Sequence, residues 1–199
     1  MPLLEDDAPR EPWPLFQRWF DEAERAGAPQ PDAMTLATGG EEGPSARMVL
    51  FKGLHNGQFL FYSNYDSRKG RDLAHDRRAA LVFYWSTPTG HQVRVYGAVH
   101  KLPRDASGRY FASRPRGAQL SALASRQSRA VRSREALEKR VLELAAQYPD
   151  EVPLPKDWGG YALRPRWIEF WEHRDDRLHD RLRYTQNEQG RWRMERLAP

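Results

Sequence analysis

The segment Arg177-Leu178-His179-Asp180-Arg181 carries the densest set of groups that could act on a ligand. In an extended backbone Arg177, His179 and Arg181 share one face, because side chains alternate along a strand. Three cationic or titratable groups aligned in this way repel one another unless an anion compensates their charge. A site for an anionic ligand and an exposed charged loop are both compatible with this pattern.

A second segment, RMVLFK at residues 47–52, is typical of a strand with a cation at each end. Alternation places Arg47 and Lys52 on opposite faces, each beside apolar side chains. The functional interpretation is that each cation meets a different anion on either side of a wall. The alternative is an ordinary barrel strand with charged ends.

Two further places have groups that bind anions. Ser67-Arg68-Lys69 follows a strand and opens a helix, so backbone N–H groups and two cations converge there. Tyr110 and Arg114 are four residues apart and share a helical face, where a phenol and a guanidinium can hold a phosphate. A solvated turn and a basic helix end explain the same residues.

Several chemistries are excluded by the residues that are missing. The chain has no cysteine, which excludes disulfides, thiolate nucleophiles and cysteine metal sites. The histidines have no common metal-ligand spacing, so we predict no metal site. There is no P-loop, no dinucleotide fingerprint and no serine elbow. Redox chemistry would therefore need a bound cofactor.

The overall composition indicates a small globular protein with a basic surface. The 199 residues include 32 Lys and Arg against 27 Asp and Glu, a net charge of +5. This excess suits an anionic partner, although a solvated surface is the more common explanation of such a charge. No apolar run approaches the ~20 residues of a membrane span, and the acidic, proline-broken start is unlike a signal peptide. We expect a cytoplasmic protein with no membrane partner.

The elements that must position these groups are mostly short strands. We predict a flexible arm over residues 1–13 and a single domain over residues 14–199, which opens with an amphipathic helix from Pro14 to about Gly27. The predicted strands are Met34–Thr38, Ala46–Lys52, Gln58–Ser63, Ala79–Trp85, His91–Lys101, Tyr161–Leu163, Trp167–Glu172, Leu182–Gln186 and Trp192–Leu197. The further helices are Ser67–His75, Asp105–Ser113, Gly117–Ser125 and Ser133–Tyr148.

Turn signals separate these elements. They are Gly39-Gly40, the Asn56-Gly57 pair typical of a two-residue hairpin, and Thr87-Pro88-Thr89-Gly90. Strands this closely spaced favour an antiparallel barrel, so the fold class is mainly β with flanking helices.

The chain resembles the pyridoxine/pyridoxamine 5′-phosphate oxidase family from about Trp13 to Pro199. The resemblance rests on RMVLFK, FYSNYDSRKG, HQVRVYG, YFASRPR, RQS, EVPLPKDWGG, IEFWEHRDDRLHDR and ERLAP, in family order. The RLHDR segment and the ERLAP ending are specific to that family, whereas RMVLFK is shared more widely among flavin-binding split barrels.

The resemblance implies an FMN-binding split β-barrel that forms a homodimer with FMN at the subunit interface. It also implies oxidation of pyridoxamine 5′-phosphate or pyridoxine 5′-phosphate to pyridoxal 5′-phosphate. Hydride would leave C4′ for flavin N5, and O2 would reoxidise the flavin to give H2O2. No nucleic-acid partner is expected.

Site residues carry over position by position from the resemblance. The implied FMN contacts are Arg47, Met48, Val49, Leu50, Phe51, Lys52, Tyr62, Ser63, Arg68, Lys69, Gln92, Gln127, Ser128, Trp171 and Arg181. The implied substrate contacts are Lys52, Tyr110, Arg114, Ala118, Arg177, Leu178 and His179, of which Arg177 and His179 are the catalytic pair that flanks the substrate ring.

Two departures from the family stand out. Ala118 occupies the position of a serine that donates to the substrate phosphate. The segment LLEDDAPREPW also lacks the Arg-Arg-x-Tyr sequence that folds over the substrate in many members. Three alternatives remain: a related flavin oxidase for another substrate such as a phenazine precursor, a non-catalytic store of flavin or pyridoxal phosphate, and a nucleic-acid-binding barrel, which lacks a clustered basic stripe.

Overall fold

A computed structural model describes residues 3–86, 88 and 90–199. The helices are α1 (Pro12–Arg25), α2 (Arg68–His75), α3 (Arg104–Ser113), α4 (Arg116–Ala124) and α5 (Arg134–Gln147). The strands are β1 (Ala33–Gly40), β2 (Gly43–Leu50), β3 (Leu54–His55), β4 (Gln58–Asn64), β5 (Arg78–Trp85), β6 (His91–Lys101), β7 (Trp158–Glu172), β8 (Asp180–Gln186) and β9 (Trp192–Arg196). In the predicted turn before β6, Thr87 and Thr89 lie outside the described residues, as do the first two residues of the predicted arm.

The described strands form one antiparallel sheet with the order β2-β1-β5-β6-β7-β4-β3, and β8 and β9 continue from β7. The 15-residue β7 organises it, because one of its edges pairs with β6 while the other pairs first with β4 and then with β8. The predicted class, mainly β with flanking helices, is confirmed. The strand ladder of the described residues is not closed. Two backbone hydrogen bonds nevertheless link the residues after β2 to β4: Lys52 N donates to Leu60 O, and Leu60 N donates to Gly53 O.

One prediction about the strands was wrong. Residues 161–163 and 167–172 belong to a single strand, β7, which also takes in Trp158 and the following glycines. The misleading signal was Pro165, since proline usually marks a strand end. The register of β6 and β7 shifts by one residue here, so that Arg166 has no partner opposite Tyr96 and Gly97, and this bulge in β7 accommodates the proline. A Cβ on Gly97 would lie 1.9 Å from Arg164 O, so only glycine permits this approach.

Smaller differences concern boundaries and turns. The first helix begins at Pro12 instead of Pro14, and Gly39-Gly40 ends β1 instead of forming the turn, which Glu41 and Glu42 make. The Asn56-Gly57 hairpin is confirmed, with φ of 49° and 69° at its two central positions.

The core is an aromatic cluster covered by α1. Phe16 is fully buried, and its ring centroid lies 5.5, 5.0 and 5.3 Å from those of Phe51, Phe59 and Phe83. A second, smaller cluster around Phe111 and Trp158 holds α3, α4 and α5 together. The first cluster packs on one face of β4 and the second packs on the other, so β4 is held in place from both sides.

The N-terminal segment lies along β8 and β9. Leu3 is buried, Pro9 O accepts from Tyr184 Oη at 2.8 Å, and Glu5 pairs with Arg196. The flexibility predicted for residues 1–13 stays a prediction. No helix in the described part of the chain is long and apolar enough to cross a membrane.

We predict that Phe16→Ala lowers the free energy of unfolding by about 3–5 kcal/mol, because it removes the ring that joins α1 to the core and leaves a cavity. Urea denaturation at a fixed protein concentration measures this loss. Leu142→Ala, at a position 71% exposed on α5, is the control and should change stability by less than about 0.5 kcal/mol. A Phe16→Ala loss as small as that of the control would show that α1 does not cover the core.

Candidate active site

A cleft of about 560 Å³ lies between the sheet and the helical layer. It is lined by ends of β2 and β4, by α3 and α4, and by the segment that follows α4. Its predicted site residues are Met48, Val49, Leu50, Lys52, Tyr62, Ser63, Lys69, Tyr110, Arg114, Ala118 and Gln127. The structure therefore brings together groups that are up to 79 positions apart in the chain, as the resemblance implied (residues 48 and 127 at the extremes).

One end of the cleft is an aromatic stack that supports a guanidinium. The rings of Tyr62 and Tyr110 are stacked with centroids 3.8 Å apart, and Trp158 continues the stack at 5.6 Å from Tyr62. The Arg114 guanidinium lies 4.9 Å from the Trp158 ring centroid. Burial lowers the pKa of Arg114, and its Nη1 is buried with no hydrogen-bond partner among the described residues. An unpaired buried donor of this kind indicates an anionic ligand.

The other end is a cluster of cations at the N-terminus of α2. Lys69 is only 8% exposed and its Nζ donates to Gln127 Oε1 at 2.8 Å. Burial, reinforced by the charge of Arg47, lowers the pKa of Lys69 to about 8. The Nε of Arg68 is also buried without a partner among the described residues. These cations lie at a helix N-terminus, where the helix dipole favours negative charge, so they can hold a second anion.

A buried carboxylate orients this cluster. Asp72 accepts from Thr38 Oγ1 at 2.7 Å and pairs with Arg47 at 3.5 Å, while Arg47 also donates to Thr38 Oγ1 at 2.7 Å. Burial lowers the pKa of Arg47, and Asp72 opposes that shift. Asp72 therefore fixes the direction of the guanidinium.

The segment after α4 closes the cation cluster. Ser63 Oγ donates to Gln127 Oε1 at 3.1 Å, and the backbone N–H of Arg68 donates to Ser128 Oγ at 3.2 Å. Ser128 has a φ of 70°, in the left-handed region that side chains rarely adopt. Such a conformation persists only where neighbouring contacts hold it, which is common in binding sites.

The remaining predicted FMN contacts lie elsewhere in the same chain. Gln92, Trp171 and Arg181 are neighbours on the outer face of β6, β7 and β8, where Trp171 pairs with both of the others. Trp171 lies 11 residues along β7 from Gly160, the partner of Tyr62 on β4, which is up to about 36 Å at ~3.3 Å per residue. One chain therefore splits the predicted FMN contacts into two groups.

Arg181 is held by its own network. Its Nε and Nη2 donate to Glu169 Oε1 at 3.0 and 2.8 Å, and its Nη1 donates to Ala198 O at 2.7 Å. Glu169 is 3% exposed and also pairs with Arg94. These contacts hold Arg181 in place on the outer face.

The predicted catalytic pair lies in the loop between β7 and β8. The His179 ring centroid is 4.6 Å from that of Trp171, and its Nδ1 accepts from the backbone N–H of Arg174 at 3.0 Å. In the neutral ring this contact places the proton on Nε2, which can then donate to a ligand. Arg177 has a φ of 67° and Leu178 is 68% exposed. The loop is thus presented to solvent beside the second group of FMN contacts.

Two predicted contacts are constrained by their surroundings. The Phe51 ring is buried in the core, so only its backbone can reach a ligand. Lys52 pairs with Asp32 at 2.8 Å, so a ligand would share or replace that carboxylate.

Sequence reasoning missed several residues that organise the site. They are Asp72, Trp158, Glu169 and Asp180, each of which contacts a predicted site residue or its loop. An acidic residue close to several cations was a usable signal for Asp72, and Trp158 lies within the KDWGG motif. The partners of Glu169 are 75 and 12 positions away in the chain, so no local pattern indicates them.

Comparison with known families matches both parts of the chain. Residues 20–148 match the model described as pyridoxamine 5′-phosphate oxidase, and residues 158–199 match the one described as pyridoxine 5′-phosphate oxidase C-terminal dimerisation region. A pyridoxine/pyridoxamine 5′-phosphate oxidase of Salinibacter ruber is 52% identical over 99% of this chain and 93% of its own length. A protein of the same name from Cupriavidus metallidurans is 49% identical with the same coverage.

Solved structures share the fold. PhzG from Burkholderia lata 383, solved with tetrahydrophenazine-1-carboxylic acid, superimposes with a TM-score of 0.91 at 33% identity, over 98% of this chain and 95% of its own. A pyridoxamine 5′-phosphate oxidase-related, FMN binding protein from Nostoc punctiforme has a TM-score of 0.76 at 19% identity, over 95% of this chain and 98% of its own, a likeness of fold alone.

We predict that Lys69→Met stabilises the ligand-free protein at pH 7, because burial of the Lys69 ammonium raises the free energy of the native state. A pKa lowered from 10.5 to about 8 corresponds to about 3 kcal/mol at ~1.4 kcal/mol per unit. The unfolded chain binds more protons than the native one between these values, so wild-type stability should rise from pH 8 to 10.5. The variant should lack that rise, as urea titrations across this range would show.

Lys139→Met, on an exposed face of α5, is the matched control and should keep the wild-type pH dependence. Inorganic phosphate should stabilise the wild type more than Lys69→Met at matched ionic strength. Equal stabilisation of both proteins would mean that Lys69 does not face the anion.

Proposed function

The chain belongs to the pyridoxamine 5′-phosphate oxidase family, and from this we propose that it oxidises pyridoxamine 5′-phosphate and pyridoxine 5′-phosphate to pyridoxal 5′-phosphate. FMN is the cofactor, O2 the electron acceptor and H2O2 the second product. The observation that carries the proposal is that one cleft is lined at one end by Arg114, whose buried Nη1 has no partner among the described residues, and at the other end by the buried ammonium of Lys69. Two phosphate monoesters, one from the cofactor and one from the substrate, fit two such sites.

The cations at α2 suit the FMN phosphate. Arg47, Arg68 and Lys69 concentrate positive charge there; burial and the charge of Arg47 lower the pKa of Lys69, and the negative charge of Asp72 offsets this only in part. A bound phosphate would supply further negative charge and accept from Arg68 Nε. Ser63, Gln127 and Ser128 would complete this end of the cofactor site.

The aromatic end of the cleft suits the substrate phosphate. Arg114 would bind it with Lys52 and Tyr110, and the stack of Tyr62, Tyr110 and Trp158 would keep the guanidinium in place. Ala118 lines this end and has no hydroxyl to offer. The phosphate therefore depends more on Arg114 here than in a relative that has a serine at this position.

FMN supplies the two-electron acceptor, and the protein supplies alignment. Arg177 would pack on the substrate ring and set the position of C4′. His179, with its proton on Nε2, would donate to a polar substituent of that ring. These contacts would hold C4′ at a fixed distance from the flavin. A reaction is faster when its reacting atoms are held in the productive geometry.

A homodimer would bring the two groups of FMN contacts together. The outer face of the sheet between them exposes Met48 at 61%, Leu50 at 43% and Tyr84 at 62%, an apolar surface that a second copy can cover. In a twofold dimer the cation cluster of one chain would meet Trp171 and Arg181 of the other. The match of residues 158–199 to a dimerisation region supports this arrangement.

A cytoplasmic location is part of the proposal, because phosphate esters carry charge that a membrane interior excludes. The test of function is the absorption spectrum of the purified protein, followed by O2 consumption and H2O2 release with each substrate. Pyridoxamine and pyridoxine 5′-phosphates should be oxidised, and tetrahydrophenazine-1-carboxylic acid should not. Turnover of the phenazine compound alone would identify a relative of PhzG, and bound flavin without turnover would identify a storage protein.

We predict different kinetic losses for the two substrate arginines. The phosphate is remote from C4′, so Arg114→Ala removes binding shared by ground and transition states and should mainly raise KM. Arg177→Ala should mainly lower kcat, by up to ~10²-fold, because a substrate displaced by ~1 Å loses the reacting geometry. Steady-state kinetics on flavin-replete protein separate the two. If Arg177→Ala changed only KM and Arg114→Ala only kcat, the substrate would lie the other way round.

We also predict that two inactive variants complement each other. Arg47→Ala disrupts the cation cluster and Arg181→Ala disrupts the outer-face group, so each homodimer should bind FMN weakly. A mixed dimer restores one intact site, so refolding an equimolar mixture should recover about one quarter of wild-type activity. Mixing Arg47→Ala with Lys69→Ala, which lie in the same group, is the control and should recover none. Equal recovery in both mixtures would exclude a site shared between subunits.

A further inference from the structure

We propose that Asp180 and Arg196 are positioning residues that hold the loop bearing Arg177 and His179, and that Glu5 anchors the far end of this ion-pair chain. The inference rests on the proposed function, since it concerns the loop assigned to the substrate ring. It gives the ERLAP ending, which no ligand contact explains, a role in the reaction.

Asp180 is the centre of the chain. It is 9% exposed, its Oδ1 accepts from Arg196 Nη1 at 2.7 Å, and its Oδ2 accepts from Arg174 Nε at 2.8 Å. Burial alone would raise the pKa of Asp180, but the hydrogen bonds from Arg196 and Arg174 outweigh it and lower the pKa. Asp180 thus stays ionised and joins two cations from different elements.

Arg196 extends the chain to the N-terminal segment. Its Nε and Nη2 donate to the two carboxylate oxygens of Glu5, each at 2.7 Å, and Nη2 also donates to Leu3 O at 2.7 Å. The hydrogen bond from Arg196 lowers the pKa of Glu5 to about 2. The guanidinium of Arg196 therefore binds both Glu5, near the start of the chain, and Asp180, beside the catalytic loop.

The other end of the ion-pair chain is Arg174, which contacts His179 directly. Arg174 binds Asp180 with its side chain and donates its backbone N–H to His179 Nδ1, so one residue fixes both ends of the loop. Within the loop, Arg177 N donates to Arg174 O at 3.2 Å, Leu178 N donates to Asp176 Oδ1 at 2.9 Å, and the His179 ring lies on Trp171. Beyond these local contacts, the ion pairs of Asp180 connect the loop to β9 and so help to decide where Arg177 and His179 lie.

Asp180→Asn tests the centre of the chain. The amide keeps the shape but loses the charge that both arginines require, so the loop should shift. We expect flavin reduction in an anaerobic single turnover to slow about ten-fold or more, as misplacement of a reacting group costs up to ~10²-fold. FMN retention through gel filtration should stay at the wild-type level, because the cation cluster at α2 is untouched.

Glu5→Gln tests the far end with a matched control. Glu195→Gln breaks a comparable pair, since Glu195 also accepts two hydrogen bonds from an arginine, Arg183, at 3.1 and 2.7 Å, and lies next to Arg196. Both variants should lower the melting temperature by similar small amounts, because exposed pairs contribute little. Only Glu5→Gln should slow flavin reduction, by about two- to five-fold, with KM changed less than kcat.

The outcomes separate the inference from the function on which it rests. If the wild type holds FMN but neither pyridoxamine nor pyridoxine 5′-phosphate reduces it, the proposed function fails. If the wild type reacts and Glu5→Gln matches Glu195→Gln in both rate and melting temperature, the positioning chain is wrong even if Asp180→Asn does not fold. A soluble Asp180→Asn protein with wild-type reduction rates would overturn it as well.

Discussion

Burial of positive charge without matching negative charge is the constraint on which the site depends. Lys69 is 8% exposed, Arg114 and Arg68 each bury a nitrogen with no partner among the described residues, and burial lowers the pKa of both Lys69 and Arg114. Desolvating a cation is costly unless an anion compensates it. The fold accepts this cost at two places in one cleft, which is the arrangement expected where two phosphate esters complete the electrostatics.

The rest of the architecture keeps those cations from relaxing. The stack on Trp158 prevents Arg114 from swinging into solvent, and Asp72 with Thr38 directs Arg47. The long strand β7 supplies Trp158 at one end and Trp171 at the other, so a single rigid element carries residues of both ligand groups. The bulge next to Pro165 lets β7 run unbroken from Trp158 to Trp171.

Local chemistry was predictable from the sequence wherever the determining contacts are local. Alternation predicted the two-faced character of β2, where half-buried and exposed residues alternate from Gly43 to Leu50, and positive φ at Asn56 and Gly57 follows from residue type. The continuity of β7 was not predictable, because what permits Pro165 is a glycine 68 positions earlier, on β6. The supporting carboxylates were missed for the same reason, since the acids that neutralise Arg47 and Arg94 lie 25 and 75 positions away in sequence. The resemblance added the split-barrel fold and the candidate site residues, but it indicated neither the unbroken β7 nor these carboxylates.

The N-terminal and C-terminal segments meet beside the loop that bears Arg177 and His179. Leu197 N donates to Arg181 O and Ala198 O accepts from Arg181, so the last residues brace the strand that follows His179. Glu5 reaches the same region through Arg196. Terminal segments usually have low local stability. Here their ordering is coupled to the loop that bears Arg177 and His179, so under the proposed function a perturbation of either terminus would act on catalysis before it acts on the aromatic core around Phe16.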